Sequence, residues 1–403
     1  MLTLLIMVAL SQGADLDRYL EAQKAFAANP GSEERLVALV SVLYENERND
    51  RAIKLLEPFV KNHPNATRAK LFLALGYARE EKYAQARTLA TQVATELPTD
   101  YYAQHILGLS LFGLNQFDAA EARFKKAVSL KSDFADSHFE LGLLYSRNPA
   151  TLQLAVTEFE RAVATGYKGA EVFRNLGGVS IKLRKYDEAI RYLNKSLELD
   201  PNSADAYFQL ADAFRKLGRA EEAAAAAAKF QELNTSALER KQRQSKAQGL
   251  YEQGMSLLQK NDLPKAYDAF QSAADTSPQL DAAFYRKAQI EYLRDDNAGA
   301  VADIRHAVEL NPFEAEYYFV LSRCLEDSDL HAAIDAAIKA VALNGRVADF
   351  HALLGDLYRE SGDNIRAVQS YRRAVELDPK NVEFRKSLAT AERNLPLRPG
   401  KPL

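Results

Sequence analysis

The stretch ADFHALLGDLYRESGDNIRAVQSYRRAVELDP runs from Ala348 to Pro379. Small and apolar residues recur along it at set intervals: Leu354-Gly355, Tyr358, Ala367, Tyr371, Ala374 and finally Pro379. A catalytic motif would gather polar groups, whereas these residues are the kind that two packed helices bury between them. The closing Leu-Asp-Pro ends a helix, because proline disfavours helical geometry in the residue before it.

The same stretch recurs through the chain. Aligned on it, units begin at residues 33, 67, 101, 135, 170, 204, 247, 281, 315 and 348, mostly 34 residues apart, with single steps of 35, 33 and 43. Leu-Gly pairs stand at Leu107-Gly108, Leu141-Gly142, Leu176-Gly177 and Leu354-Gly355, and degenerate forms at Leu73-Ala74, Leu210-Ala211 and Leu321-Ser322. The first-helix aromatic is Tyr77, Tyr145, Phe214 or Tyr358. Ala120, Ala155, Ala266 and Ala367 are followed four residues later by Phe124, Phe159, Phe270 and Tyr371. Units close on Pro64, Pro98, Pro201, Pro278, Pro312 and Pro379.

On these marks the chain resembles the tetratricopeptide repeat (TPR) family, whose 34-residue unit is a helix–turn–helix. The family's Trp position holds Tyr207, Phe284, Tyr318, His138 or His351 instead. The resemblance covers residues 33–381 and implies an all-α fold, a right-handed TPR α-solenoid in which helix–turn–helix repeats wind into a superhelix. One unit cannot bury both faces alone, so the array stands by stacking. The expected organisation is a signal peptide (1–13), a leading helix (14–32), six repeats (33–237), a helical connector (238–246), four repeats (247–381), a capping helix (382–395) and a disordered tail (396–403). The connector follows from the 43-residue step, since neither Pro nor Gly interrupts Glu232 to Gln248.

Composition narrows the function. The chain has 403 residues, 47% hydrophobic and 27% charged, enough to form a large core. Its net charge of -3 argues against a general nucleic-acid binder, which carries a strong positive balance. A single cysteine, Cys324, excludes an intrachain disulfide and a cysteine-based zinc site. Residues 2–10 are apolar apart from Thr3 and as a helix reach about 14 Å, too short to span a bilayer and right for a signal peptide. Ser11 and Gly13 supply small residues for cleavage after Gly13 or Ala14, although the segment has no basic residue ahead of its apolar run. The expected location is periplasmic or secreted, with cytoplasmic as the alternative.

No metalloprotease, phosphate-loop, nucleophile-elbow or dinucleotide motif is present, and the six histidines fall in separate units without metal-ligand spacing. The expectation is a protein that is not an enzyme and needs no cofactor or metal.

At about 100° per residue, unit positions 2, 5, 9, 12 and 13 form one stripe of the first helix. In the family this stripe lines a concave groove that grips an extended peptide or a partner helix. Here it carries Leu109, Phe112, Phe139, Leu143, Ile181 and Phe208 together with Arg68, Arg79, Arg147, Arg174, Lys182, Arg215 and Lys216. That mixture suits a protein or peptide with apolar anchors and acidic or C-terminal carboxylate groups. The two-carboxylate clamp of the chaperone-binding relatives is incomplete, because Arg174 and Asn175 are present but Gly178 stands where a polar residue is needed. In the second block the stripe turns aromatic and acidic, with Tyr285, Tyr292, Phe319, Glu326, Asp356 and Glu360. The expected function is therefore a non-enzymatic protein-interaction scaffold. The alternatives are a structural adaptor of an envelope or polysaccharide-export assembly and a regulatory subunit of an enzyme on another chain.

Overall fold

The computed structural model describes the backbone of residues 2–395 and the side chains of residues 15–395. Met1, the expected disordered tail 396–403 and the side chains of residues 2–14, where a signal peptide is expected, lie outside the described residues. All described elements are helical. After α1 (Leu2–Ala28) come the pairs α2 and α3 (Glu33–Glu45, Asn49–Asn62), α4 and α5 (Thr67–Arg79, Tyr83–Glu96), and α6 and α7 (Tyr101–Gly113, Phe117–Leu130). The pairs α8 and α9 (Ala135–Tyr145, Leu152–Ala164) and α10 and α11 (Ala170–Lys182, Tyr186–Leu199) follow. Next are α12 (Ala204–Lys216), the 40-residue α13 (Ala220–Gln259) and α14 (Leu263–Thr276). The chain ends with α15 and α16 (Asp281–Leu293, Asn297–Leu310), α17 and α18 (Ala315–Leu325, Leu330–Leu343), α19 and α20 (Ala348–Glu360, Asn364–Leu377) and α21 (Val382–Arg393).

The chain forms two compact units: residues 29–239, and residues 240–403 together with residues 1–28. The leading helix therefore groups with the block that lies farther away in sequence. The expected connector is the middle of α13, which runs without a break from the second helix of one repeat into the first helix of the next. Its alanine run, Ala223 to Ala228, favours helix strongly.

Each helical pair closes over a small residue. Gly108 faces Phe124, Gly142 faces Phe159, Gly254 faces Phe270 and Gly355 faces Tyr371, and all four rings are wholly buried. A Cβ on Gly142 would come within 2.5 Å of the Phe159 ring. The glycines let the helices approach closely enough for the rings to fill the remaining space.

The turns inside the pairs repeat as regularly. Glu47, Glu81, Asn115, Arg184, Asn261 and Asp295 all have φ between 57° and 61°, and Gly218 and Gly362 take the equivalent position with φ of 74° and 82°. The 35- and 33-residue units lack this left-handed residue. The 35-residue unit makes a short 3-10 turn over Pro149–Thr151, and the 33-residue unit ends α17 early and turns over residues 326–329 into α18. The single-residue insertion and deletion thus both fall in the turn, and the helices stay in register. A side chain at this φ costs roughly 1–2 kcal/mol. Arg184→Gly is expected to raise stability by about 1 kcal/mol, seen as a higher urea midpoint, because the exposed arginine leaves the left-handed region to glycine.

Cys324 is 1% exposed in the α16–α17 core, and burial pushes its thiol up to about 11, so it serves as a small packing group.

Candidate functional site

Within the 29–239 unit, the first helices of successive repeats touch one another, α2 with α4, α4 with α6 and α10 with α12. Each second helix packs between the first helices on either side of it. The first helices therefore line the tighter, inner side, and the stripe chosen from the sequence lies on them.

The structure sorts the stripe into three groups. Phe139 is withdrawn: it is 8% exposed, stacks on Tyr167 at 4.5 Å and leans on Phe159 at 5.7 Å. Leu109, Phe112, Leu143 and Ile181 are half-buried and form an apolar floor. Phe208 is the exception among the apolar residues, 58% exposed, with its ring tilted against Phe230 at 5.3 Å.

The cations divide likewise. Arg79 donates to the Tyr44 carbonyl at 2.8 Å and covers the Tyr44 ring. Arg147 lies 4.0 Å over Phe117, and Lys182 donates to the Ser146 carbonyl at 3.0 Å. These three tie one repeat to the next, although Arg147 and Lys182 remain exposed. Arg174 sits 3.6 Å from Asp205, and Arg215 3.4 Å from Asp212. Both pairs are loose and water-accessible, the type worth about 1 kcal/mol or less. Arg68 and Lys216 are exposed and have no ion-pair partner among the described residues. The sixth repeat therefore concentrates what a partner can reach: an exposed aromatic ring, Phe208, on the same helix as Arg215 and Lys216.

An acidic edge also belongs to this face. Asp136, Glu171 and Asp205 occupy the second position of successive first helices, opposite the basic ends of those helices. Glu140 lies one turn beyond Asp136, and burial together with the Asp136 charge pushes its carboxyl up to about 7. The Tyr167 hydroxyl donates to Glu171 at 2.7 Å. The signal for this edge was present at position 2, but acids there also read as ordinary helix N-terminal charge.

His105, His138 and His351 are built into the packing. His105 is buried, held near neutral by a pKa lowered to about 3, and its Nδ1 lies 2.9 Å from Ser137 Oγ. His138 bridges Glu158 at 2.6 Å and the Ser132 carbonyl, and Glu158 holds its pKa up. Among the described residues no group of three His, Cys, Asp or Glu could hold a metal ion.

Comparison with known proteins agrees with this architecture. The family pattern described as tetratricopeptide repeat matches residues 37–101, 107–170, 152–202 and 251–315, and a second TPR repeat pattern matches 181–225 and 355–391. Anaphase-promoting complex subunit CDC16 of Saccharomyces cerevisiae is 25% identical over 202 residues, 47% of this chain and 24% of its own length. The chain thus spans about a quarter of that relative. The BBSome complex member BBS4 homolog of Drosophila melanogaster is 22% identical over 348 residues, 83% of this chain and 70% of its own. Among solved structures, the APC/C hetero-tetramer Cut9-Hcn1 aligns over 95% of this chain and 94% of its own, at 14% identity and a TM-score of 0.35. By its repeats, its helical pairs and the two family patterns that match it, the chain belongs to the tetratricopeptide repeat family.

Proposed function

We propose that the inner face of the 29–239 unit docks an extended segment of a partner protein bearing apolar side chains and acidic or C-terminal carboxylate groups. The observation that carries this reading is the exposed Phe208, flanked on α12 by Arg215 and Lys216 and continued by the half-buried floor of Leu109, Phe112, Leu143 and Ile181. An exposed aromatic next to accessible cations is the composition enriched in binding hot spots. The loose Arg174–Asp205 and Arg215–Asp212 pairs can exchange their carboxylates for a partner's at little cost. The role is that of a scaffold, with docking as its mechanism and no covalent step. It fits the names of the relatives, a subunit of one complex and a member of another.

The test is affinity capture from the native source with the wild-type chain and with Arg174→Glu/Arg215→Glu, followed by crosslinking. Two charge reversals against an acidic partner are expected to weaken capture about 10- to 100-fold. Phe208→Ala should weaken it independently of salt. Undiminished capture by both variants would place the docking surface elsewhere and favour an envelope adaptor that uses its outer face.

Export belongs to the same proposal. Cleavage after Gly13 or Ala14 would leave the buried Leu16 and Tyr19 of α1 in place. No helix among the described residues is long and apolar enough to cross a membrane. Amino-terminal sequencing of the mature protein decides the matter, and an intact Met1 overturns export.

A further inference from the structure

The segment of α1 from Asp15 to Ala28 is amphipathic in the strict sense. Leu16 and Tyr19 are each 5% exposed, Leu20, Gln23 and Phe26 are half-buried, and Asp17, Arg18, Glu21 and Lys24 face outward. Its buried stripe rests on residues far away in sequence. The Tyr19 ring meets Phe313 edge-on at 5.5 Å, and Gln23 Nε2 donates to the Leu343 carbonyl at 3.3 Å, at the end of α18. Asp17 lies close enough to act electrostatically on the Tyr318 hydroxyl. Phe313, Tyr318 and Leu343 are 3%, 3% and 7% exposed with α1 in place. They form a helix seat on the 240–403 unit.

We propose that this seat is a docking site for an amphipathic helix, filled in cis by α1, and that it accepts α1 from a second copy of the chain. Residues 15–28 fit the seat, and every copy of the chain carries them. Two buried side chains and a side-chain hydrogen bond to a carbonyl are prominent in the hold. A helix of this length is marginal on its own, so release melts it and docking reforms it. An exposed turn, Asn29-Pro30-Gly31 followed by Ser32, joins α1 to α2 and lets the segment swing between its own seat and a neighbour's. Such exchange of an identical element is a low-cost route to dimers.

Two full-length variants test it. Leu16→Asp/Tyr19→Asp spoils the helix and leaves the seat open, and Phe313→Asp/Leu343→Asp spoils the seat and leaves the helix free. Mixed, they are expected to form a species of twice the 44.9 kDa chain mass by light scattering, with neither variant dimerising alone. A labelled peptide of residues 15–28 should bind the first variant about ten-fold or more tighter than the wild type, whose seat is filled. The peptide arm keeps the test decisive if the seat variant fails to fold. A mixture of two folded monomers, or a peptide that binds neither the helix variant nor the wild type, overturns the proposal. Equal peptide binding to both proteins also overturns it, because the wild-type seat would then not be occupied by α1.

Discussion

Replacing Lys287 by methionine is expected to cost about 3–5 kcal/mol, the usual loss when one partner of a buried ion pair is removed. Lys287 is 6% exposed, and its Nζ lies 2.8 Å from Asp303 Oδ2 across the α15–α16 contact. Glu291, also 6% exposed, stands one turn further along α15. It accepts a hydrogen bond from the Tyr267 hydroxyl at 2.9 Å, and its other oxygen is buried beside the Asp303 carboxyl. Two carboxyls therefore share one buried ammonium, and burial holds the Glu291 carboxyl above the ordinary carboxylate range. Removing Lys287 leaves both acids without the cation that stands between them. The loss should appear in the urea transition as a lower midpoint.

Glu291→Gln is expected to act in the opposite direction. A carboxyl whose folded pKa is raised binds its proton more tightly in the native than in the unfolded state. Its contribution is greatest at low pH, declines as pH rises above the ordinary carboxylate value and is flat above the folded pKa. Glutamine mimics the protonated acid: it can accept from Tyr267 and donate to Asp303. The variant should match the wild type near pH 4 and exceed it by about 1–3 kcal/mol at pH 8. Parallel stability profiles across that range would show that the two carboxyls do not share a proton.

The fold was legible because each repeat carries its own packing instructions. Gly142 and Phe159, or Gly355 and Tyr371, state within about sixteen residues that two helices touch. The Leu-Asp-Pro endings place the turns, and the odd lengths absorbed at Pro149 and between α17 and α18 left that register intact. The docking face was less legible. Stripe geometry put the proposed face on the first helices, yet Phe139 is covered by Tyr167, a residue outside the repeat pattern and in an inter-helix turn. The ties made by Arg79 and Lys182 to carbonyls of the preceding repeat depend on distances that no spacing encodes. The seat of α1 on Phe313 and Leu343 was invisible for a simpler reason. An amphipathic helix declares that it has a partner, but its sequence does not say where that partner lies.

The pairing of small residue with ring yields the sharpest test of how the array is held together. Counting sixteen residues on from the small position gives Gly108 with Phe124, Gly177 with Leu193, Gly254 with Phe270 and Gly355 with Tyr371. Where the first residue is alanine, the second is smaller or slimmer: Ala74 with Ala90, Ala211 with Ala227, Ala288 with Ile304. Gly142 pairs with Phe159 one residue later, after the inserted residue in the turn. In these units a ring or Leu193 lies opposite glycine and no ring lies opposite alanine, as a close-packed interior requires. Phe159→Ala is expected to cost about 3–5 kcal/mol, because a wholly buried ring leaves a cavity between rigid helices. Gly142→Ala in the wild type should cost about 1–2 kcal/mol, since the new methyl, 2.5 Å from the ring, outweighs the better helix propensity of alanine. In the Phe159→Ala background the same change should reverse sign and stabilise by about 1 kcal/mol, because the methyl enters empty space and the propensity gain is no longer opposed. The double variant recreates the Ala74–Ala90 combination. A double-mutant cycle on urea transitions therefore measures a coupling of about 2–3 kcal/mol. A Gly142→Ala effect that keeps its sign in both backgrounds would mean that the helices shift apart freely, and that the small residue does not set their separation.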